Sequence, residues 1–523
     1  MKRLVMLALA VTAALAQDGA RYLVITADAY YDAVQPLVEW RRASGLSTLV
    51  VRTSETGTDT VALKTYVRNA WNNWTVRPEY ILLVGSGAQI QSRYYPQRQM
   101  QYPTWTDNAY ADMTGDMRPE IAIGRLPATS VAMAQAMVNK VLTYERNPNM
   151  VDSLWMRRLT GIIREGQDNS DTVYWNNVRR AAQQAAAAGF VTVDSLSYLR
   201  GHTANDVINA ANRGTGFIVY RGSAVGTWYS PFGVRPSLDT AQGKLPIVVS
   251  ATCQTLSLTS EPMLSDSWMR TGTATLARGA VAFFGNTHTS ASDVARQRGA
   301  VCRGFFDGIF VDKVARLGPA CVRARQQLWS EFPTDTTDYR GFNLLGDPAM
   351  RVWTATPVRP VVEHAATIEP DSQSFAVTVT NGVLPVGGAE VCVSMDSAVY
   401  AVGTTDASGQ VSFDIAPHEG QLRLVVSGKG LFPYDVLVPV ALTGVGAAPV
   451  TGPRARLALS PNPTRAGAIA PGREAEEFVV YDCGGRLVQS CRGARIGAGL
   501  PPGVYSVRSA ARPALAARLV KSE

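Results

Sequence analysis

An α/β fold with a mainly parallel sheet flanked by helices, followed by two all-β sandwich domains, is the class this sequence predicts. Residues 20–355 alternate continuous apolar, β-rich runs with amphipathic helical stretches, the pattern of a parallel sheet covered on both faces. After Pro357 the apolar period drops to two, with Gly, Asn and Asp turns and no helical pattern. A Gly/Ala/Pro-rich link, TGVGAAPVTGP (443–453), then sets off a last short β segment.

The elements follow in order. YLVITA (22–27) reads as a strand, and YDAVQPLVEWRRASG as a helix. In that helix Val34, Leu37, Val38 and Arg41 fall at three- and four-residue steps, and Gly45 stops it. STLVVRT (47–53), a helix around 60–73 and YILLVG (80–85) continue the alternation. Further strands are EIAIGR (120–125), RLTGIIR (158–164), GFIVYRG (216–222), PIVVSATC (246–253) and GAVAFFG (279–285). Helical patterns at 131–146, 171–188 and 203–213 separate several of them. Within 360–442, SFAVTVTNG, AEVCVSMD, QVSFDIA and QLRLVVSG alternate apolar and polar residues, as half-buried strands do. The domain boundaries predicted are 1–16, 17–355, 356–445 and 446–523.

The first segment, MKRLVMLALAVTAALA, places two cations before an apolar run and ends on the small-x-small pattern Ala14-Leu15-Ala16. That is a cleaved export signal, shorter than the roughly 20 residues needed to span a bilayer. No later run is long and apolar enough to cross a membrane, so an exported, soluble mature protein is expected. Apolar residues make up 46% and charged residues 18% of the 523, enough to fill large cores. The net charge of +8 sits at the ends, +2 from Lys2 and Arg3 and +6 from eleven basic and five acidic residues in 451–523. Residues 17–450 sum to zero, which excludes a basic body for nucleic acid. Six cysteines are too sparse for a disulfide-built fold. With Gly484-Gly485 as a two-residue hairpin turn, Cys491 lies opposite Phe478 and not Cys483, so mostly unpaired, buried cysteines are expected.

Chemistry in a parallel α/β sheet gathers at the carboxyl ends of the strands. Cys253 ends LPIVVSATC, where a nucleophilic thiol would sit; its structural alternative is a packed core cysteine. The HExxH, CxxC, GK[ST] and Gly-x-Ser-x-Gly patterns of zinc, phosphate-loop and serine-hydrolase sites are missing. Trp228, Tyr229, Phe232 and Trp268 read either as cleft walls or, more commonly for aromatics near strand ends, as core.

Five segments in order carry a resemblance: YLVITADAYYDAVQPLVEWRRASGL, TDNAYADMTGDMRPEIAIGRLPA (106–128), LPIVVSATCQT, GAVAFFGNT and FNLLGDPAMRVW (342–353). Residues 20–355 resemble the gingipain family of cysteine peptidases, whose fold is caspase-like α/β. The resemblance implies protein or peptide substrates, Cys253 as nucleophile, Glu120 in a position that supports the catalytic His, and no required cofactor. It also places Asp107, Asp112 and Asp116 in an acidic segment where relatives bind calcium. The family pattern Tyr-x-Gly-His-Gly stands here as Tyr220-Arg221-Gly222-Ser223-Ala224. Ser223 takes the His position, or Arg221 does under a gapped alternative, and neither is a neutral base near pH 7. Arg221 would favour a thiolate electrostatically. Of His202, His288, His364 and His418, His288 follows GAVAFFGNT and is the one candidate substitute base. Backbone amides near Gly222 and Cys253 would hold an oxyanion. These residues leave two functions open, a cysteine endopeptidase and a noncatalytic surface protein that binds peptides or partners.

In the tail, ALSPNPTRAG, EFVVYDCGGRLVQ and LPPGVYSVRS resemble the C-terminal sorting domain of the type IX secretion system. That resemblance implies the secretion machinery as partner and a secreted or outer-cell-surface location. The domain after 355 is expected to be immunoglobulin-like.

Overall fold

Ten strands form one sheet, and all but one of its neighbouring pairs run parallel. In chain order they are β1 (Tyr22–Thr26), β2 (Thr48–Arg52), β3 (Tyr80–Val84), β4 (Ala122–Leu126) and β5 (Arg158–Ile163). They continue as β6 (Thr192–Ser197), β7 (Phe217–Arg221), β8 (Ile247–Gln254), β9 (Ala282–Asn286) and β10 (Phe342–Leu345). The spatial order is β2-β1-β3-β4-β10-β9-β8-β7-β5-β6, with β10 antiparallel to β9. The structure is a computed structural model that describes residues 19–96, 103–166, 169–233, 243–259, 261–290, 293–442, 457–482, 486–511 and 516–522. The expected export signal, Cys483 and the Gly484-Gly485 turn lie outside the described residues.

The inner strands are mostly apolar because both faces are covered, with Arg125, Arg221 and Asn286 among the buried polar exceptions near their carboxyl ends. Every residue of β1, β3, β7 and β9 is buried, and each such Val, Leu, Ile or Phe side chain contributes roughly 1.5–3 kcal/mol of burial. The covering helices include α1 (Tyr31–Ala43), α2 (Thr60–Asn73), α3 (Val131–Glu145), α4 (Asp171–Ala187), α5 (Ala204–Arg213), α6 (Ala295–Phe306), α7 (Leu317–Glu331) and the short α8 (Thr336–Gly341). Capping residues set several starts. Asp59 accepts from the amides of Val61 and Ala62 at the head of α2, and Ser130 accepts from Met133 at the head of α3.

Two strands departed from expectation. β6 is an edge strand and half-buried, so VTVDSLS never forms the continuous apolar run that marks its neighbours. β10 is four residues long, follows straight after α8 and runs antiparallel to β9. It joins the two halves of the sheet, pairing fully with β9 and through Leu345 and Arg125 with β4.

Beyond the sheet, a three-stranded layer (Val361–Glu363, Gln373–Thr380, Gln410–Ile415) faces a four-stranded one (Val399–Thr404, Glu390–Met395, Gly420–Ser427, Tyr434–Val440). Phe375, Val377, Phe413, Val391, Leu424 and Val438 share the core between them. This sandwich is part of the same compact unit as the α/β sheet. It docks through Trp40 and Ala43 of α1 against Val425, and through Arg316 and Arg351 paired to Glu390. A second unit begins after Leu442. Its described residues form one four-stranded antiparallel sheet (Leu487–Arg492, Glu477–Tyr481, Gly503–Ser509, Ala516–Lys521) with short bridged segments, where a small sandwich had been expected. Cys491 pairs with Phe478, the register that the glycine turn predicts. The five described cysteines are free.

Candidate active site

Four neighbouring strands deliver their carboxyl ends to one edge. β5 runs into Arg164 and Glu165, β7 into Gly222 and Ser223, β8 ends at Cys253 and Gln254, and β9 at Asn286. The chain must come very close where β7 passes β5. Gly222 has φ +147°, and a Cβ there would lie 2.6 Å from Arg164 Cβ and 2.9 Å from its carbonyl oxygen. Only glycine fits. The Thr252 hydroxyl donates to the Gly222 carbonyl, tying β8 to this turn one residue before the cysteine.

Cys253 is half-buried, unlike the buried Cys302, Cys321 and Cys392. Its sulfur accepts a hydrogen bond from Arg298 NH1 at 2.6 Å. Arg298 lies in the first turn of α6, and Asp338 of α8 holds its guanidinium through Nε (3.1 Å) and NH2 (3.1 Å). Asn286 Nδ2 donates to Asp338 Oδ1 at 2.7 Å, so the end of β9 orients the carboxylate that orients the arginine. Burial pulls the Arg298 guanidinium down, but Asp338 and Cys253 outweigh it and leave the group above its usual value. The result is a fixed positive charge against the sulfur, anchored from behind by a buried carboxylate.

The cation expected at the thiol was Arg221, and the structure places it elsewhere. Arg221 is fully buried and donates to Asn177 Oδ1, to the Ala295 carbonyl and to the Ala251 carbonyl. It ties β7 to α4 and α6. Ser223 stands where the resemblance puts the imidazole, and its carbonyl accepts from the Tyr220 hydroxyl at 2.6 Å. His288 is buried, with its amide donating to Asn286 Oδ1 and Nδ1 3.4 Å from Thr104 Oγ1. Glu120 sits in an exposed turn, its carboxylate accepting from the Met113 amide and the Thr114 hydroxyl. Trp228, Phe232 and Trp268 are core, Trp228 stacking on Tyr220 at 4.7 Å.

The three aspartates considered for calcium do not converge. Asp107 is buried and takes Arg125 Nε at 2.7 Å, Arg125 NH2 at 2.8 Å and Ser92 Oγ at 2.6 Å. Its carboxylate neutralises an arginine that has no access to solvent. Asp112 accepts from the Gly115 and Met117 amides, and Asp116 pairs with Arg118. Among the described residues no three His, Cys, Asp or Glu side chains gather as a metal site.

Arg298 and Asp338 were missed in the sequence. Their signal was a charged residue inside an apolar stripe, since Ala295, Arg298, Cys302 and Phe305 share the buried face of α6. A cleft of about 470 Å³ adjoins the loop that leaves Cys253. Leu258, Thr259, Ser92, Tyr94 and Trp105 are among the residues that line it, and Cys253 is not.

Residues 15–353 match the model of peptidase family C25. Gingipain R2 of Porphyromonas gingivalis is 24% identical over 517 residues, covering 94% of this chain and 66% of that protein. Lys-gingipain HG66 of the same organism is 20% identical over 453 residues, 79% of this chain and 25% of the relative. The chain thus spans just under two thirds of one relative and a quarter of the other. Among solved structures, the Arg-specific cysteine proteinase gingipain R superposes with a TM-score of 0.71 at 20% identity, over 81% of this chain and 98% of that one. The complex of the pro- and mature domains of a Porphyromonas gingivalis gingipain gives 0.72 at 19% identity, over 80% and 100%. No described helix is long and apolar enough to cross a membrane. With its cysteine at the carboxyl edge of a gingipain-type sheet, this chain belongs to peptidase family C25.

Proposed function

We propose that residues 17–355 form a cysteine endopeptidase that acts on proteins or peptides, with Cys253 as nucleophile and Arg298 as its fixed counter-charge. The observation that carries this reading is the 2.6 Å contact between Arg298 NH1 and the Cys253 sulfur. A guanidinium keeps its proton at neutral pH, so it favours negative charge on an attacking sulfur. Attack on a peptide carbonyl gives an oxyanion held by backbone amides near Gly222 and Cys253, then an acyl-enzyme that water hydrolyses. The departing amine needs a proton, and Ser223 supplies no base–acid pair. Turnover therefore runs some 10²–10⁴-fold below that of an imidazole-assisted site. The export signal and the sorting-type tail complete the reading as a secreted or surface-attached protein handled by type IX secretion machinery. The middle sandwich is read as immunoglobulin-like.

Ser223 at the His position favours one second reading, a noncatalytic member of the family that binds peptides or partners at the same edge. Incubating the full chain and Cys253→Ala with a peptide library, read by mass spectrometry, separates the two. Slow cleavage by the native chain and none by Cys253→Ala is the expected result. Peptide retention without cleavage by either leaves the noncatalytic reading, and cleavage that persists in Cys253→Ala removes Cys253 from the chemistry.

A further inference from the structure

We propose that the Cys253–Arg298–Asp338 cluster is also a hydroperoxide-reactive centre, at which Cys253 is oxidised to the sulfenate. The inference rests on the reading of Cys253 as a nucleophile and gives it a second class of electrophile. A guanidinium carries five N–H donors. In Arg298, Nε and one N–H of NH2 hold Asp338, and one N–H of NH1 meets the sulfur. One N–H on NH1 and one on NH2 remain without a partner among the described residues, although the side chain is only 5% exposed. An unpaired buried donor is costly. The spare NH1 donor belongs to the nitrogen that touches the sulfur, so an oxygen atom arriving at the sulfur is the acceptor it lacks.

The chemistry fits what the site has and does not need what it lacks. Cleaving a peptide requires a proton for the leaving amine, whereas a hydroperoxide carries its own. The thiolate attacks one peroxide oxygen, an S–O bond forms and the O–O bond breaks with its electron pair going to the distal oxygen. The proton of the attacked oxygen ends on that leaving oxygen, so thiolate and hydrogen peroxide become sulfenate and water at unchanged net charge. Sulfur loses two electrons and the peroxide gains them. Arg298 donates to the leaving oxygen as charge develops there, and Asp338, held by Asn286, keeps the guanidinium in place.

Among the described residues the buried thiols are poor competitors. Burial pushes Cys302 and Cys392 up to about 11 and raises Cys321 further, which keeps them in the less reactive thiol form. Cys491 is half-buried, like Cys253, burial pushes its thiol up, and among the described residues no arginine hydrogen-bonds it, so it serves as the internal reference.

The test treats the full chain with hydrogen peroxide at pH 7 in the presence of dimedone and reads the adduct at Cys253 and Cys491 by peptide mass spectrometry. Oxidation of Cys253 about tenfold faster than Cys491 is expected, with a severalfold loss in Arg298→Lys, which keeps the charge but not the fork. Iodoacetamide labelling runs in parallel. Rapid alkylation of Cys253 with oxidation no faster than at Cys491 overturns the inference and leaves the nucleophile reading standing. Slow reaction with both reagents overturns both. Because the two cysteines are compared within the native protein, the result does not depend on Arg298→Lys folding.

Discussion

Arg41 and Arg298 are both shut away from solvent, with side chains 1% and 5% exposed, yet their surroundings differ by one anion. Arg41, on α1, meets two buried carboxylates, Asp347 through Nε and NH2 and Glu145 through NH1. Those carboxylates are themselves held: Glu145 accepts from the Trp40 indole and the Arg351 amide, and Asp347 from the Ala349 amide. Arg298 has one carboxylate, Asp338, and in the place of the second anion it has the half-buried sulfur of Cys253. The first cluster is closed on all sides and fastens helices to the sheet. The second keeps the same guanidinium–carboxylate anchor but turns one end to a group that a substrate can reach. A buried arginine is thus structural or reactive according to what occupies its last position.

Substitutions that separate the two clusters test this directly. Arg41→Met leaves two carboxylates buried without their cation, and a loss of about 3–5 kcal/mol in urea unfolding is expected. Its folded fraction should still alkylate at Cys253 at the native rate. Arg298→Met strands one carboxylate that keeps its bond from Asn286, so a smaller loss of about 1–3 kcal/mol is expected. Iodoacetamide labelling of Cys253 should then slow by about tenfold. Equal losses of stability with unchanged labelling would erase the distinction. Gly222→Ala forces a side chain into Arg164 at a positive φ and should cost about 1–3 kcal/mol without moving the guanidinium of Arg298.

The smallest effect is a pH dependence specific to the reactive cluster. Burial, reinforced by Asp338, pushes the Asp335 carboxyl up to about 6. The folded chain then holds a proton that the unfolded chain has released, so the contribution of Asp335 to stability falls as pH rises from about 4 to 6 and levels off above. Asp335→Asn keeps the acceptor oxygen that caps α8 and should flatten that slope in unfolding midpoints measured across the range.

Much of this architecture was legible because buried parallel strands leave unbroken apolar runs. YILLV and FIVYR could be placed to within a residue or so for that reason. The half-polar edge strand Thr192–Ser197 and the four-residue β10 carry too little pattern to be seen. Cys253 was legible as the last polar atom of such a run. Its partner was not, because Arg298 lies 45 residues further on and meets the sulfur only once α6 has packed over the sheet. Arg221, nearer in sequence and equally charged, was the plausible cation, but its side chain turns into the layer between β7 and α4. Local pattern reports burial well and says little about which buried charge faces which.

The most direct measurement is the rate of iodoacetamide labelling at Cys253 relative to Cys491 in the native full chain at pH 7, read by peptide mass spectrometry. A ratio of about ten or more, falling toward one in Arg298→Met, is the result predicted for a sulfur activated by its arginine. Equal rates at the two cysteines in the native protein would contradict it.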